Sequence, residues 1–250
     1  MSQTESRIAT DPAALLWQLV GVPVRLQTYK NLLYLALAFP LGLFYFVALV
    51  SGVSAGTGTL VVVVGVPILL VTLVVGTAFM RIETELARHL LGFDVPTRTG
   101  DATLEDGVLE YVKDLLTDYG TYVSLVVTFA KFWVGVGSFV ALVVWSVVST
   151  VFMAAPFYYD RPGVSLTFGP EGSVTLLPAL QFTEDFWTIT LTGPVEFATG
   201  EVTTLQGALV VSAIGVVLLF LGFHLLNAAA WLLGYATKLL GPHARVIGSD

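Results

Sequence analysis

Four long apolar runs dominate the chain, at roughly Leu32–Val53, Leu60–Phe79, Val134–Ala155 and Leu209–Leu226. A helix crosses the hydrocarbon core of a bilayer with about 17–25 apolar residues, so each run predicts a membrane-spanning helix. The first two are separated by the small and polar residues of "SGVSAGTG" (Ser51–Gly58), which predict a short turn. Amphipathic segments precede the first and third runs. In "DPAALLWQLVGVPVRLQ", Asp11 is placed as N-cap and Pro12 at the first helical position, with Leu15, Leu16, Trp17 and Leu19 on one face. In "TLEDGVLEYVKDLLTDYG", Thr103 caps, Asp106 sits at the third helical position, and Leu104, Val108, Leu109, Val112, Leu115 and Leu116 form the stripe. Both are expected to be helices lying on the inner membrane surface. The second run continues as "RIETELARHLLGF", where Arg81/Glu85 and Glu85/His89 are spaced for i,i+4 pairing on an exposed helix. The fourth continues as "NAAAWLLGYATKLLG". Both continuations end in Leu-Leu-Gly, a helix stop.

The stretch 157–206 has a different period. "GVSLTF" and "SVTLL" alternate apolar and polar residues on either side of "GPEG", predicting a hairpin that carries Val164, Leu166 and Phe168 on one strand and Val174 and Leu176 on the other. "FWTITLTG" reads as a third strand and "VEFAT" as a fourth. The expected organisation is a tail (1–10), a first unit of interfacial helix and two spans (11–93), an acidic linker, interfacial helix and third span (94–156), a β-rich insertion (157–206), the fourth span with its continuation (207–241) and a C-terminal tail (242–250). The fold class is mainly α: a polytopic membrane protein with four spans as two related helix pairs, amphipathic interfacial helices, and a small extracellular β-rich cap between spans three and four.

The two pairs echo each other. "FVALV" at Phe46–Val50 recurs at Phe139–Val143, 93 positions on. At the same offset Thr28-Tyr29 matches Thr121-Tyr122, Leu32 matches Leu125, Phe39 matches Phe132, and Gly42 matches Gly135. Self-similarity at a fixed spacing predicts an internal duplication. If each half enters from the same side and crosses twice, the axis relating them lies along the membrane normal.

Charge orients the spans. Of 11 Lys and Arg residues, ten lie on one side of the predicted spans and only Arg161 on the other. The positive-inside rule then places both termini and 94–118 in the cytoplasm, and 157–206 outside, in a multi-pass cell-membrane protein. A mean hydropathy of +0.85 with 12% charged residues excludes an ordinary soluble domain, which carries about 25%. Eighteen acidic residues and few lysines suggest adaptation to concentrated salt. Cysteine is absent, which removes disulfides and Cys-ligated metals from consideration. The first 27 residues lack the basic-then-apolar pattern of a cleavable signal.

"TYKNLLYLALAFPLGL", "GVPILL" (Gly65–Leu70) and "FHLLNAAAWLLGYATKLLG" (Phe223–Gly241) resemble the putative sensor domain family. The resemblance covers about Leu15 to Gly241. It implies a four-helix membrane module with two related halves, which in many bacteria precedes a histidine kinase and in salt-loving archaea often stands alone. It implies no ligand and no catalytic residue. Only nine residues follow Gly241 here, so the resemblance implies a membrane input module and leaves the output open.

Candidate chemistry is sparse. "YYDRP" and "TEDFW" combine aromatics and charge, making Tyr158, Tyr159, Asp160, Arg161, Asp185, Phe186 and Trp187 a candidate recognition face, against the alternative of an interfacial aromatic belt with salt-adapted acids. His224 and Asn227, one turn apart, form a candidate intramembrane polar pair. Gly42 and Gly135 are candidate helix-packing positions. Lys131 is expected at the inner surface with its ammonium snorkelling to water. No Asp or Glu falls within the four runs, which argues against a cation-coupled transporter. No catalytic set, cofactor motif, metal-ligand spacing or nucleic-acid patch is present. The expected function is a non-enzymatic sensor-type module, with membrane lipids and a signalling or envelope protein as partners and self-association open. The rival readings are a tetraspanin-like organiser, by outline of topology alone, and, more weakly, a lipid or small-molecule transporter.

Overall fold

The computed structural model describes residues 21–160, 180–184, 187–191 and 204–248. Among them are five α-helices: α1 Leu26–Gly58, α2 Gly65–Leu91, α3 Val108–Thr117, α4 Tyr119–Met153 and α5 Leu205–Leu240. All but α3 are long and apolar enough to cross a membrane, and the chain is a multi-pass membrane protein. It divides into two compact units, Met1–Ser146 with Phe220–Asp250, and Val147–Leu219.

In the first unit α1 and α2 form an antiparallel hairpin. The predicted turn at Ser51–Gly58 is corrected: this stretch is the last two turns of α1. Its small residues serve packing. A Cβ on Gly52 would lie 2.3 Å from Thr72 Oγ1, and one on Gly56 would lie 2.6 Å from the Leu69 side chain. Gly52-xxx-Gly56 is therefore a small-residue stripe that lets α2 approach, and a stripe and a turn share the same composition. The reversal is instead Thr59–Val64, an apolar turn whose Val61 is 93% exposed. Val63 takes a left-handed φ of 66°, unusual for a β-branched residue. Lower down, Tyr45 stacks on Phe79 at 4.4 Å, and Leu49 completes that buried cluster. The helix α2 stops at Gly92, whose φ of 73° is the left-handed cap predicted for it.

The contact between α1 and α4 is reciprocal. Gly42 abuts the backbone of Lys131 and Phe132, and Gly135 abuts the backbone of Ala38 and Phe39. Phe46 stacks on Phe132 at 4.5 Å, and Phe39 stacks on Phe139 at 4.9 Å. Each contact maps onto the other by the 93-residue offset. The direction, however, differs from expectation. Moving up α1 from Tyr34 through Gly42 to Leu49, the partners descend α4 from Leu142 through Lys131 to Leu125. The two helices are antiparallel, so the local two-fold lies across them, not along them as an axis on the membrane normal requires. Against α5, α4 is antiparallel as well, with Trp145 filling the space beside Gly222 and meeting Phe223 edge-on at 4.8 Å.

Because α1 and α4 run in opposite directions, the 92–118 connection travels along the packed helices, the long crossover seen in some four-helix arrangements. Phe93 packs against Trp231 and beside Gly234. Pro96 O lies 2.6 Å from where a Gly241 Cβ would stand, which requires glycine there. Arg98 and Arg245 form a parallel β-bridge. Thr103–Asp106 then makes a separate turn. Both the N–H and the hydroxyl of Thr103 donate to Asp106 Oδ2 at 2.9 Å, and Gly107 (φ 111°) ends it before α3 begins. The predicted continuous helix from Thr103 is thus broken at Gly107. On α3, Leu115 is buried while Val108, Leu109 and Leu116 are exposed. Of the N-terminal amphipathic segment only the turn at Val22–Val24 is described; Asp11, Pro12 and Trp17 lie outside the described residues.

In the second unit, Ala155, Ala208 and Val211 form a small core joined by Phe152, Tyr158 and Tyr159. The hydroxyl of Ser212 donates to Met153 O at 3.0 Å. An antiparallel hairpin pairs β1 (Leu180–Glu184) with β2 (Trp187–Leu191), in the register Leu180↔Leu191 to Glu184↔Trp187. The strand expected in "FWTITLTG" is β2; its partner β1 was not foreseen. The hairpin expected around "GPEG" and the strand in "VEFAT" lie outside the described residues.

Candidate functional site

The first unit buries an ion pair where α1, α2 and α4 meet. Glu83 Oε2 contacts the ammonium of Lys131, which also donates to Tyr34 Oη at 2.5 Å. Glu83 is 2% exposed and Lys131 7%. The expectation of a snorkelling lysine is corrected, and so is the premise that the membrane helices hold no carboxylate. The reason lies in helical register. Gly76, Met80, Glu83 and Ala87 recur at the 3–4 residue spacing of one buried stripe of α2. On α4, Lys131 lies one turn from Thr128 and two from Ser124, both buried. The runs of apolar letters gave no sign that these two stripes face each other. Thr77, Thr84 and Thr128 turn their hydroxyls back to carbonyls three or four residues earlier, so they satisfy themselves without serving the pair. Tyr45 faces the Glu83 carboxylate from α1, with its hydroxyl buried there. Removing two charges from water costs several kcal/mol per ion, offset here by mutual attraction and the tyrosine hydroxyl.

A second charged cluster pins the C-terminal segment. The guanidinium of Arg245, 3% exposed, meets Asp114 at 2.8 Å and Asp118 at 3.6 Å, and Arg98 meets the other oxygen of Asp118 at 2.8 Å. The backbone joins in: Arg245 N donates to Gly120 O at 3.0 Å, Val246 N to Arg98 O at 2.8 Å, and Ser124 Oγ to Arg245 O at 2.6 Å. A Cβ on Gly100 would stand 2.1 Å from the Arg245 guanidinium, so only glycine admits it. Ala244 and Val246 pack on Met80 with Val123 and Val127. The residues read as a tail are docked through 247. The acidic run that composition assigns to salt adaptation thus supplies two structural carboxylates. Arg81 Nη1 lies 3.5 Å from Ile247 O, while Glu85 pairs with Arg88 at 2.8 Å and with His89 at 3.4 Å.

Asn227 turns toward α1, accepting from Asn31 Nδ2 at 2.6 Å and donating to Thr28 Oγ1 at 3.3 Å. Gln27 Nε2 extends the same polar patch to Leu90 O at 2.7 Å. The half-buried His224 sits a turn away on α5. Gly42 and Gly135 occupy the reciprocal α1–α4 contact. Tyr158 and Tyr159 pack on the Ala155 core, and Tyr158 Oη donates to Val151 O at 2.5 Å. Asp160 is exposed; Arg161, Asp185, Phe186 and the side chain of Trp187 lie outside the described residues. Among the described residues no group of acids and histidines is arranged to hold a metal.

A family model described as "putative sensor" matches residues 34–240. The chain belongs to this sensor family. No curated protein and no solved structure matches the chain. The matched range begins at Tyr34 and ends at Leu240, so it holds both members of the buried ion pair and stops before the docked segment. Asp114 and Asp118 of the charged cluster are inside the sensor-family range and Arg245 is outside it.

Proposed function

We propose that this chain is a non-enzymatic membrane sensor-type module that passes a stimulus to a separate protein. The observation that carries the reading is the buried Glu83–Lys131–Tyr34 contact, which ties α1 and α2 to α4. A buried ion pair adds little net stability against apolar residues of the same volume, but it penalises any arrangement that separates its members. Such a contact suits an element with two discrete arrangements, where a small shift between helix pairs is costly until a stimulus supplies the difference. Family membership supports the sensor reading, and the docked segment 244–247 offers a surface that a shift of α4 would move. The predicted recognition face at Tyr158–Arg161 and Asp185–Trp187 is the receiving end in this reading, within a β-rich outer cap. The Lys/Arg count supports a cytoplasmic N-terminus, and the reciprocal 93-residue contacts support a duplication.

Native co-purification from membrane, comparing the natural chain with Lys131→Met, tests the reading. A signalling protein should be retained by the natural chain and lost or constitutively held by the variant. Recovery only of large arrays of the chain itself, or of an envelope protein indifferent to Lys131→Met, would refute it and favour the organiser.

A further inference from the structure

The Glu83–Lys131 pair joins α2 to α4, and a second element bridges the same seam. The segment Ala244–Ile247 leaves α5 through the short turn Gly241–His243. On the α2 side, Ala244 and Val246 pack on Met80, and Ile247 O lies 3.5 Å from Arg81 Nη1. On the α4 side, Val123 and Val127 pack against that cluster, Arg245 N donates to Gly120 O, and Ser124 Oγ donates to Arg245 O. Met80 is one helical turn from Glu83, and Val127 is one turn from Lys131. The segment thus rests on the turn of each helix next to the one that carries the ion pair. It cannot keep both sets of contacts if α2 and α4 move apart.

Its hold is specific but thin. The apolar side chains it gives to the cluster are an alanine and a valine, so little apolar area leaves water. Arg245 is buried between Asp114 and Asp118, and a buried ion pair does little more than offset its own desolvation. The backbone bonds from Arg245 N and Val246 N exchange for bonds to water when the segment leaves. Against these gains stands the ordering of the segment's backbone and of a long arginine side chain. Opposed terms of similar size describe a segment that opens locally while the helices beneath it stay packed.

We propose that Ala244–Ile247 is a releasable latch on the α2–α4 seam, docked while Glu83 and Lys131 are paired and freed when the seam shifts. The inference rests on the reading of that pair as the switching contact. Release uncovers the carboxylates of Asp114 and Asp118 together with Met80, Val123 and Val127, and sets Arg245 free. The two states therefore differ in both charge and apolar area on one face of the first unit.

The chain has no cysteine, so single introduced cysteines report the latch. Val246→Cys is buried when the segment is docked, and Gly248→Cys is exposed throughout. Ala87→Cys, buried on α2 and outside the cluster around the segment, reports loosening of the helices themselves. Each full chain, in phosphatidylcholine nanodiscs, is reacted with a water-soluble maleimide. Position 246 should react at least about tenfold more slowly than 248 when no other change is present. Asp114→Asn weakens the arginine anchor without touching the ion pair, and should speed labelling at 246 about tenfold, as for loss of one hydrogen bond to a charged group. Glu83→Gln with Lys131→Met removes the pair without leaving a lone buried charge, and should speed it comparably. Tyr34→Phe, which removes only the hydroxyl bonded to Lys131, should give a smaller increase and decides the matter if the double variant does not fold. Rates at 87 and 248 should stay unchanged. Labelling at 246 as fast as at 248 in the natural background would overturn the proposal, as would no increase in Asp114→Asn. A rate at 246 unmoved in the folded ion-pair variants would make the segment a static fixture, and a parallel rise at 87 would show general loosening; either result refutes the latch. Partner retention is read separately: a partner that responds to Lys131→Met beside an unmoved latch sinks this inference alone, and a moving latch with a partner indifferent to Lys131→Met sinks the sensor reading alone.

Discussion

Neutralising one member of the buried ion pair should be far more damaging than neutralising both. Lys131→Met leaves the Glu83 carboxylate at 2% exposure facing a thioether and two tyrosines. Glu83→Gln leaves a lysine at 7% exposure with only Tyr34 and a neutral amide. Removing one partner of a buried pair costs about 3–5 kcal/mol, because the survivor keeps its desolvation cost and loses its compensation. For a chain of this size that is a drop of about 6–20 °C in melting temperature, at about 2–4 °C per kcal/mol. If the two changes were independent, the double variant would lose about 6–10 kcal/mol and would not fold. The expected result is instead a double variant, Glu83→Gln with Lys131→Met, within about 2 kcal/mol of the natural chain, since neutral replacements of a buried pair are often tolerated. Thermal unfolding of all four proteins in one detergent, followed by far-UV circular dichroism, gives the cycle. The reasoning is refuted if the single costs simply add, or if each falls below about 1 kcal/mol, the level of a solvated surface pair.

Further expectations follow from the packing. Gly135→Leu should prevent α1 and α4 from closing, because even a Cβ there lies 2.3 Å from Ala38 O, whereas Gly137→Leu, with open space around it, should leave yield and melting unchanged. Val63→Gly should raise stability by up to about 1 kcal/mol in the same melts, by relieving a left-handed β-branched residue that costs about 1–2 kcal/mol against glycine's loss of chain entropy. The backbone and hydroxyl bonds from Thr103 hold the exposed Asp106 carboxyl below its ordinary range. The Thr103–Asp106 turn is therefore supported above the carboxyl's unfolded pKa and loses that support as pH falls through the lowered folded value. Thr103→Ala should raise the Asp106 titration midpoint, read by NMR. Single cysteines labelled from outside in intact cells test the packing order: with α1 entering from the cytoplasm and α4 antiparallel to it, position 105, just before α4, should react. Reaction at 171 and not at 105, which the Lys/Arg count alone expects, would mean that α1 and α4 do not cross one bilayer in opposite directions.

The sequence by itself determined the four membrane helices, the Gly92 stop and the strand at Trp187–Leu191. Each rests on local information: a long apolar run, a left-handed cap or an alternating period is written in neighbouring residues. The tertiary structure decided what local patterns leave degenerate. Glycines at 52 and 56 look alike in a turn and in a tight helix contact, and only Thr72 and Leu69 opposite them distinguish the two. The 93-residue echo says which residues correspond but not in which direction α1 and α4 lie, because a two-fold along the helices and one across them relate the same residues while bringing different ones into contact. A carboxylate on α2 and an ammonium on α4, 48 positions apart, carry no mark in either segment that they will meet. Their pairing exists only when both buried stripes converge, and burial then makes the contact obligatory, because neither charge can be left alone away from water.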